Sequence, residues 1–411
     1  MRPRAVITGM GLVTPIGNGV KEYWAALTAG RSGIGPITLF DTTGFAVRIG
    51  GEVRNLDFSQ YMPAALSRKM SRASKLAVAA AKMAQDDSGL EITDANRHEV
   101  DIFMGVAAMD FDTLAANMAR MRAKGPEHVS PLAPGISVAA APAGNVSVSL
   151  GVCSEMTTVT TGCSSSNNAV GHAVRKIHSG ASRVVFAGGT DTSVQPDLIA
   201  AYSNARALSR LNETPAEACR PFEARRDGHV VSEAAGILVL EEYRHARDRG
   251  ARIYAEVAGY GTTSDCHSMF QVSDDVGSAS RCIQQALRDA GADPDELGYY
   301  CAHGTASRNT DARETNMLKA ALGRRAYGLA VSSIKSMTGH PFGAAGVLET
   351  AACALAIHRR AVPPTINYHE PDPACDLDYV PNEARQQNVR QAISYCLGMG
   401  GNNSALVLKA C

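Results

Sequence analysis

Cys163 stands in Thr160-Thr161-Gly162-Cys163-Ser164-Ser165-Ser166, between an apolar segment and the start of a helical pattern. A thiol at a helix N-terminus feels the positive end of the macrodipole and unpaired backbone N–H groups. Both favour the thiolate, the nucleophilic form. Gly162 allows a sharp turn that would present the sulfur outward. On position alone, the competing reading is a structural cysteine. His303 ends an apolar strand in Tyr299-Tyr300-Cys301-Ala302-His303, and His340 opens a small-residue helix after Thr338-Gly339. Lys335 directly follows the strand pattern Val331 to Ile334. In open α/β sheets the ligand crevice lies at the carboxyl ends of the strands. A Cys, two His and a Lys converging there make a nucleophile with two imidazole donors. A lone histidine at a strand end is otherwise a hydrogen-bonded structural residue. Asp311 and Glu314 lie three apart at a helix start, where they either orient Lys335 or a histidine, or form a solvated first turn.

The elements that must position these groups alternate along the chain. Strand patterns at 5–8, 100–106, 183–187 and 237–241 are interleaved with helical patterns at 74–87, 168–178 and 242–249. The alternation restarts near residue 252, with strands at 253–260, 298–302, 331–334, 392–396 and 404–408. The helices of this second set are expected at 279–290, 311–322 and 343–358. Such alternation implies an α/β layered fold with largely parallel sheets. Each half also has a sharp turn opening a small-residue helix, TTGCSSSNNAVGHA in the first and MTGHPFGAAGVLETAACALA in the second. This points to a duplication with a boundary near residue 250, a half spanning 1–250 and a half spanning 251–411. The stretches 208–227 and 361–385 are long for loops, and loops of that length often carry function.

The chain has 411 residues, 45% of them hydrophobic and 19% charged, enough for a large packed core. Lys plus Arg total 40 and Asp plus Glu total 40. That balance argues against a protein built around nucleic acid or an anionic membrane. No apolar stretch approaches the ~20 residues of a membrane span. MRPRAVITGMG runs two arginines into a strand without an apolar signal core, so a cytoplasmic protein is expected. The ten cysteines show no CxxC spacing, which disfavours zinc and a disulfide framework. The turn Leu397-Gly398-Met399-Gly400-Gly401-Asn402-Asn403 is not followed by a helix, which excludes a dinucleotide or phosphate loop. It is either an oxyanion-binding turn or a tight hairpin.

Together these residues resemble the condensing enzymes of the β-ketoacyl-acyl-carrier-protein synthase II type. The resemblance runs from Val6-Ile7-Thr8-Gly9-Met10-Gly11 to the last strand. It includes RPFEARRDGHVVSEAAGILVLEE at 220–242, AHGTASRNTDARET at 302–315, SSIKSMTGHPFGAAG at 332–346 and VPPTINYHEPDPACDLDYVPNEAR at 362–385. It implies the thiolase fold, two duplicated α/β halves in a five-layer αβαβα core, working as a homodimer or with a paralogous chain-length-factor subunit. It implies Cys163 as acyl acceptor and His303 and His340 as the pair supporting malonyl decarboxylation. Lys335 would organise the histidines, with Glu314 and Asp311 in its network. Backbone amides of Cys163 and Met399 would form the oxyanion hole, and Thr305 and Ser307 would contact phosphopantetheine. That group arrives on the acyl carrier protein, so no cofactor or metal is expected. The carrier is acidic in this family, and Arg68, Lys69, Arg72 and Arg206 are the docking candidates, against the alternative of an ordinary solvated charge cluster.

The chain also departs from the family pattern. TTGCSSS replaces the usual Ala before the nucleophile, and the usual gatekeeping Phe is Met399. Ser268-Met269-Phe270 stands where His-Met-Thr is common, and Met109-Asp110-Phe111 lacks a customary glycine-rich turn. These departures point to a specialised polyketide or polyene pathway over housekeeping fatty-acid elongation. The presence of Cys163 argues against a non-catalytic chain-length factor, and the second histidine argues against a non-decarboxylating thiolase.

Overall fold

The apolar runs assemble into two five-stranded arrays in a computed structural model that describes residues 2–108 and 110–411. The first holds β1 (Ala5–Thr14), β2 (Val100–Gly105), β3 (Met156–Val159), β4 (Val184–Thr192) and β5 (Glu233–Glu242), in the order β3-β2-β4-β5-β1. The second holds β6 (Ala255–Ser264), β7 (Leu297–Cys301), β8 (Ala330–Ser332), β9 (Gln391–Gly398) and β10 (Asn402–Lys409), in the order β8-β7-β9-β10-β6. Counted within each half, the strand orders are the same. The two arrays join where β1 and β6 pair antiparallel, Val6 opposite Glu256 and Ile7 opposite Ala255.

The sheets are mixed, which corrects the expectation of largely parallel ones. β2 runs parallel to β3 and β4, and β7 to β8 and β9, but β5 and β10 are antiparallel to both their neighbours. The reason is visible at β9 and β10. Only Met399–Gly401 joins them, far too short for the crossover that a parallel pair needs.

Among the described residues seven longer helices are α1 (Arg72–Ser88), α2 (Phe111–Lys124), α3 (Ala141–Leu150), α4 (Ser165–His178), α5 (Gly277–Ala290), α6 (Arg308–Leu322) and α7 (Ala345–Arg359), and all but α2 sort into layers. α1 and α3 cover the outer face of the first array, and α5 and α6 cover that of the second. α4 and α7 lie between the two. That placement explains the composition of α7, which is buried from Ala345 to Ile357. A helix sandwiched between sheets has no solvent face and must be apolar and small all round. Gly346 is where α7 meets α4: a Cβ there would lie 2.6 Å from the Cβ of Asn167. Among the described residues no helix is long and apolar enough to cross a membrane.

Candidate active site

Cys163 sits in the turn between β3 and α4, just before the helix begins. Gly162 adopts φ +62°, and a Cβ on it would lie 3.0 Å from the Met399 amide nitrogen. Glycine therefore lets the β9–β10 turn press against the cysteine turn. Asn402 fixes the approach, its Oδ1 accepting from Ser164 Oγ and Asn168 Nδ2, each at 2.8 Å.

His340 Nε2 lies 3.1 Å from Cys163 Sγ. The His303 ring is perpendicular to the His340 ring, with centroids 5.5 Å apart. Both imidazoles are held through their backbones. The His340 amide donates to Val230 O at 2.7 Å, and Ser232 N donates back to His340 O at 3.1 Å. The His303 amide donates to Glu314 Oε1 at 2.8 Å, and its carbonyl accepts from Lys335 Nζ at 2.6 Å. The Nδ1 atoms of both rings are buried without a partner. The structure thus brings Cys163, His303, His340 and Lys335 together.

Of the readings open for Asp311 and Glu314, the geometry matches support of a histidine rather than direct pairing with Lys335. Its ammonium is paired with Glu349 on α7, not with Asp311 or Glu314. Glu314 takes Tyr300 Oη and the amides of His303 and Gly304, each at 2.8 Å, while Asp311 takes the amides of Phe222 at 2.8 Å and Thr305 at 3.1 Å. These carboxylates therefore moor the backbone that carries His303. Glu349 was missed, although it is the one charged residue in the run 345–357. A lone acid in a helix with no polar face requires a buried counter-charge. His303, Glu349 and Cys396 present ligand atoms within 4.8 Å of one another. Glu349 is already committed there, to Lys335 and to the Cys396 thiol at 2.8 Å.

Burial also reverses the expected state of the thiol. It pushes Cys163 up to about 12, against the pull of the Lys335 charge. The resting sulfur is a protonated thiol, and His340 is the group placed to accept its proton. Burial, reinforced by the Lys335 charge, holds His303 and His340 well below the ordinary imidazole range, so both are neutral. Iodoacetamide labelling of Cys163, read by peptide mass spectrometry, is accordingly expected to accelerate about tenfold per pH unit between about pH 7 and pH 10. A plateau near the ordinary thiol value of about 8.5 would contradict this.

Cys163, His303 and His340 open onto a cavity of about 610 Å³, lined also by Thr305, Ser307, Met399 and Arg206. Met269 and Phe270 form part of its wall, with Phe270 86% exposed. Arg68 and Lys69 are exposed and do not line the cavity. Arg72 is removed from the docking set, because its guanidinium is turned inward onto the fully buried Glu233, with Nε–Oε2 at 2.6 Å. Met109 lies outside the described residues; next to it, Asp110 caps α2 by accepting from Thr113 N at 3.0 Å. His229, a third imidazole on the cavity, was also missed. It lies inside the quoted RDGHVV stretch, but nothing local marks it as facing the thiol.

The β-ketoacyl synthase N-terminal domain model matches residues 3–246, and the C-terminal domain model matches residues 254–369. The chain belongs to the β-ketoacyl synthase family. This family membership makes it a condensing acyltransferase that forms β-ketoacyl-acyl-carrier-protein. A 3-oxoacyl-[acyl-carrier-protein] synthase 2 from Synechocystis sp. is 40% identical over 408 residues, covering 99% of this chain and 98% of that one. Two solved ketosynthases each superpose over 100% of both chains with a TM-score of 0.92. One is the ishigamide ketosynthase/chain length factor, at 36% identity. The other is AntDE:AntF, a type II PKS acyl-carrier protein in complex with its ketosynthase bound to the hexaketide, at 32% identity. The two arrays of like strand order with α4 and α7 between them are thus the thiolase fold of this β-ketoacyl synthase.

Proposed function

We propose that this β-ketoacyl synthase is the ketosynthase of a type II polyketide or polyene pathway, with Cys163 as acyl acceptor. The observation that carries the assignment is the 3.1 Å contact between Cys163 Sγ and His340 Nε2, with neutral His303 perpendicular to His340. An acyl thioester first exchanges onto Cys163: the new C–S bond forms, the carrier thiolate leaves, and the cysteine proton passes through His340 to it. Covalent loading separates this step from condensation. In the second step the malonyl C–C bond breaks and releases CO2, while the two imidazoles stabilise the enolate oxygen. The enolate carbon then attacks the acyl-Cys163 carbonyl, and the thiolate leaves and is reprotonated. Lys335, bonded to the His303 carbonyl, helps hold that ring in place and adds its charge to the burial that keeps both rings neutral. The amides of Cys163 and Met399, brought together by Gly162, are placed to bind the tetrahedral oxyanion.

In this reading Thr305 and Ser307 contact the phosphopantetheine arm, which arrives on the carrier protein, and no separate cofactor or metal takes part. Arg206 at the cavity, with Arg68 and Lys69, supplies positive charge for an acidic carrier in the cytoplasm. The chain divides near residue 250 into a half bearing the nucleophile and a half bearing His303, Lys335 and His340. The pathway assignment draws on Met399, Ser268 and Phe270 around the pocket and on the resemblance to the two ketosynthases. The Synechocystis relative favours the second reading, a housekeeping fatty-acid elongation synthase.

The test is intact-protein mass spectrometry of the purified chain incubated with acyl- and then malonyl-carrier protein. An adduct on Cys163 followed by ketoacyl product is expected from a self-sufficient homodimer. Adduct without product calls for addition of a paralogous subunit, and product released without any Cys163 adduct would overturn the assignment.

A further inference from the structure

We infer that His229 is a specificity-determining residue, its imidazole selecting acyl groups that carry a hydrogen-bonding oxygen near the thioester over plain hydrocarbon chains. The inference rests on the assignment of Cys163 as acyl acceptor proposed above. His229 lines the same cavity as Cys163, His303 and His340. Its backbone is pinned on both sides, the amide donating to Ala207 O and the carbonyl accepting from Ser209 N, each at 3.0 Å. The side chain is therefore held in the wall of the cavity. The rings of Tyr202, His340 and Phe342 surround it edge-on, with centroids at 5.6, 5.7 and 5.8 Å. His340 in turn touches the sulfur, so His229 stands one ring removed from the acylated atom.

Among the described residues no side-chain or backbone group hydrogen-bonds to the His229 imidazole, and its Nε2 is enclosed without a partner. Burial, with Lys335 adding to it, lowers its pKa to about 4, so the ring is neutral and offers one N–H and one lone pair. Neither is satisfied by the protein. Next to His229 the cavity wall holds the rings of Tyr202 and Phe342, while Arg206, Thr305 and Ser307 also line the cavity. A 3-oxo or 3-hydroxy oxygen on the acyl group, two carbons from the thioester carbonyl, would give a partner to Nδ1, the ring nitrogen that is not enclosed. A site built to hydrogen-bond a substrate group rejects analogues lacking that group far more strongly than an apolar wall sorts chain lengths. Such a preference favours the polyketide branch of the proposed pathway over the polyene branch.

The experiment follows loading of Cys163 by intact mass in the full chain. The donors are N-acetylcysteamine thioesters of hexanoate, 3-hydroxyhexanoate and 3-oxohexanoate. The wild-type chain is expected to load the two oxygenated donors at least about tenfold faster than hexanoate. His229→Phe should abolish that ratio, and His229→Asn, which keeps a donor and an acceptor, should restore part of it. If His229→Phe does not fold, the same ratio is read in His229→Leu. Equal loading of all three donors overturns the inference while leaving Cys163 as acyl acceptor, as does a preference that survives in His229→Phe. Absence of adduct from every donor overturns the Cys163 assignment, and this inference with it.

Discussion

Cys163→Ala is expected to abolish the acyl adduct and to lower condensation by about 10⁴-fold or more. The magnitude follows from what the sulfur does in the proposed cycle. Without it no covalent acyl group exists for the enolate to attack, so the second half-reaction loses its electrophile. The fold should survive, because Cys163 is partly exposed to the cavity and its turn is held by neighbours. Ser164 and Ser165 retain their bonds to Thr161 O at 2.8 Å and Gly162 O at 2.6 Å. The loss should therefore appear in turnover with little change in thermal unfolding. Ketoacyl product formed by the alanine variant at a rate near the parent's would remove Cys163 from the mechanism.

Lys335→Met is expected to cost about 3–5 kcal/mol of stability, because it strands a carboxylate in the core. The pair is sealed from solvent, with side-chain exposures of 1% for both Lys335 and Glu349. Burial raises Glu349 to about 7 even against the opposing pull of the Lys335 charge. Removing the ammonium leaves burial alone, and only the Cys396 thiol still donates to the carboxylate. The double variant Lys335→Met/Glu349→Leu removes both charges at similar volume and should recover most of the lost stability. Condensation should remain low in the double variant. The His303 carbonyl has lost its donor, and the charge that reinforces burial in lowering both histidines is gone. Denaturant unfolding and turnover measured on the same three proteins would separate the two roles. Recovery of turnover along with stability would show that Lys335 serves only the core.

The local features of this chain were legible without coordinates. The Gly162-Cys163 turn, the strands ending at His303 and preceding Lys335, and the two small-residue helices follow from apolar periodicity and turn chemistry. Those signals extend over a few residues, which is the range on which backbone preference acts. The equivalence of the halves was legible in the same way, because TTGCSSSNNAVGHA and MTGHPFGAAGVLETAACALA both open helices that are now seen side by side as α4 and α7. The four candidate site residues Cys163, His303, Lys335 and His340 were nominated by type and position, and the structure brings them together.

What the tertiary structure decided is of another kind. Glu349 pairs with Lys335, Asp311 and Glu314 tie down backbone, and Arg72 is drawn inward to Glu233 across 161 positions of sequence. The raised Cys163 thiol likewise departs from the expectation drawn from its place before a helix, because burial outweighs the pull of the Lys335 charge. His229 acquires its importance only because the cavity leaves its imidazole without a partner. Each of these outcomes depends on which groups lose water and which charge they meet when they do. Burial and long-range pairing are properties of the assembled core, and no local pattern in the chain encodes them.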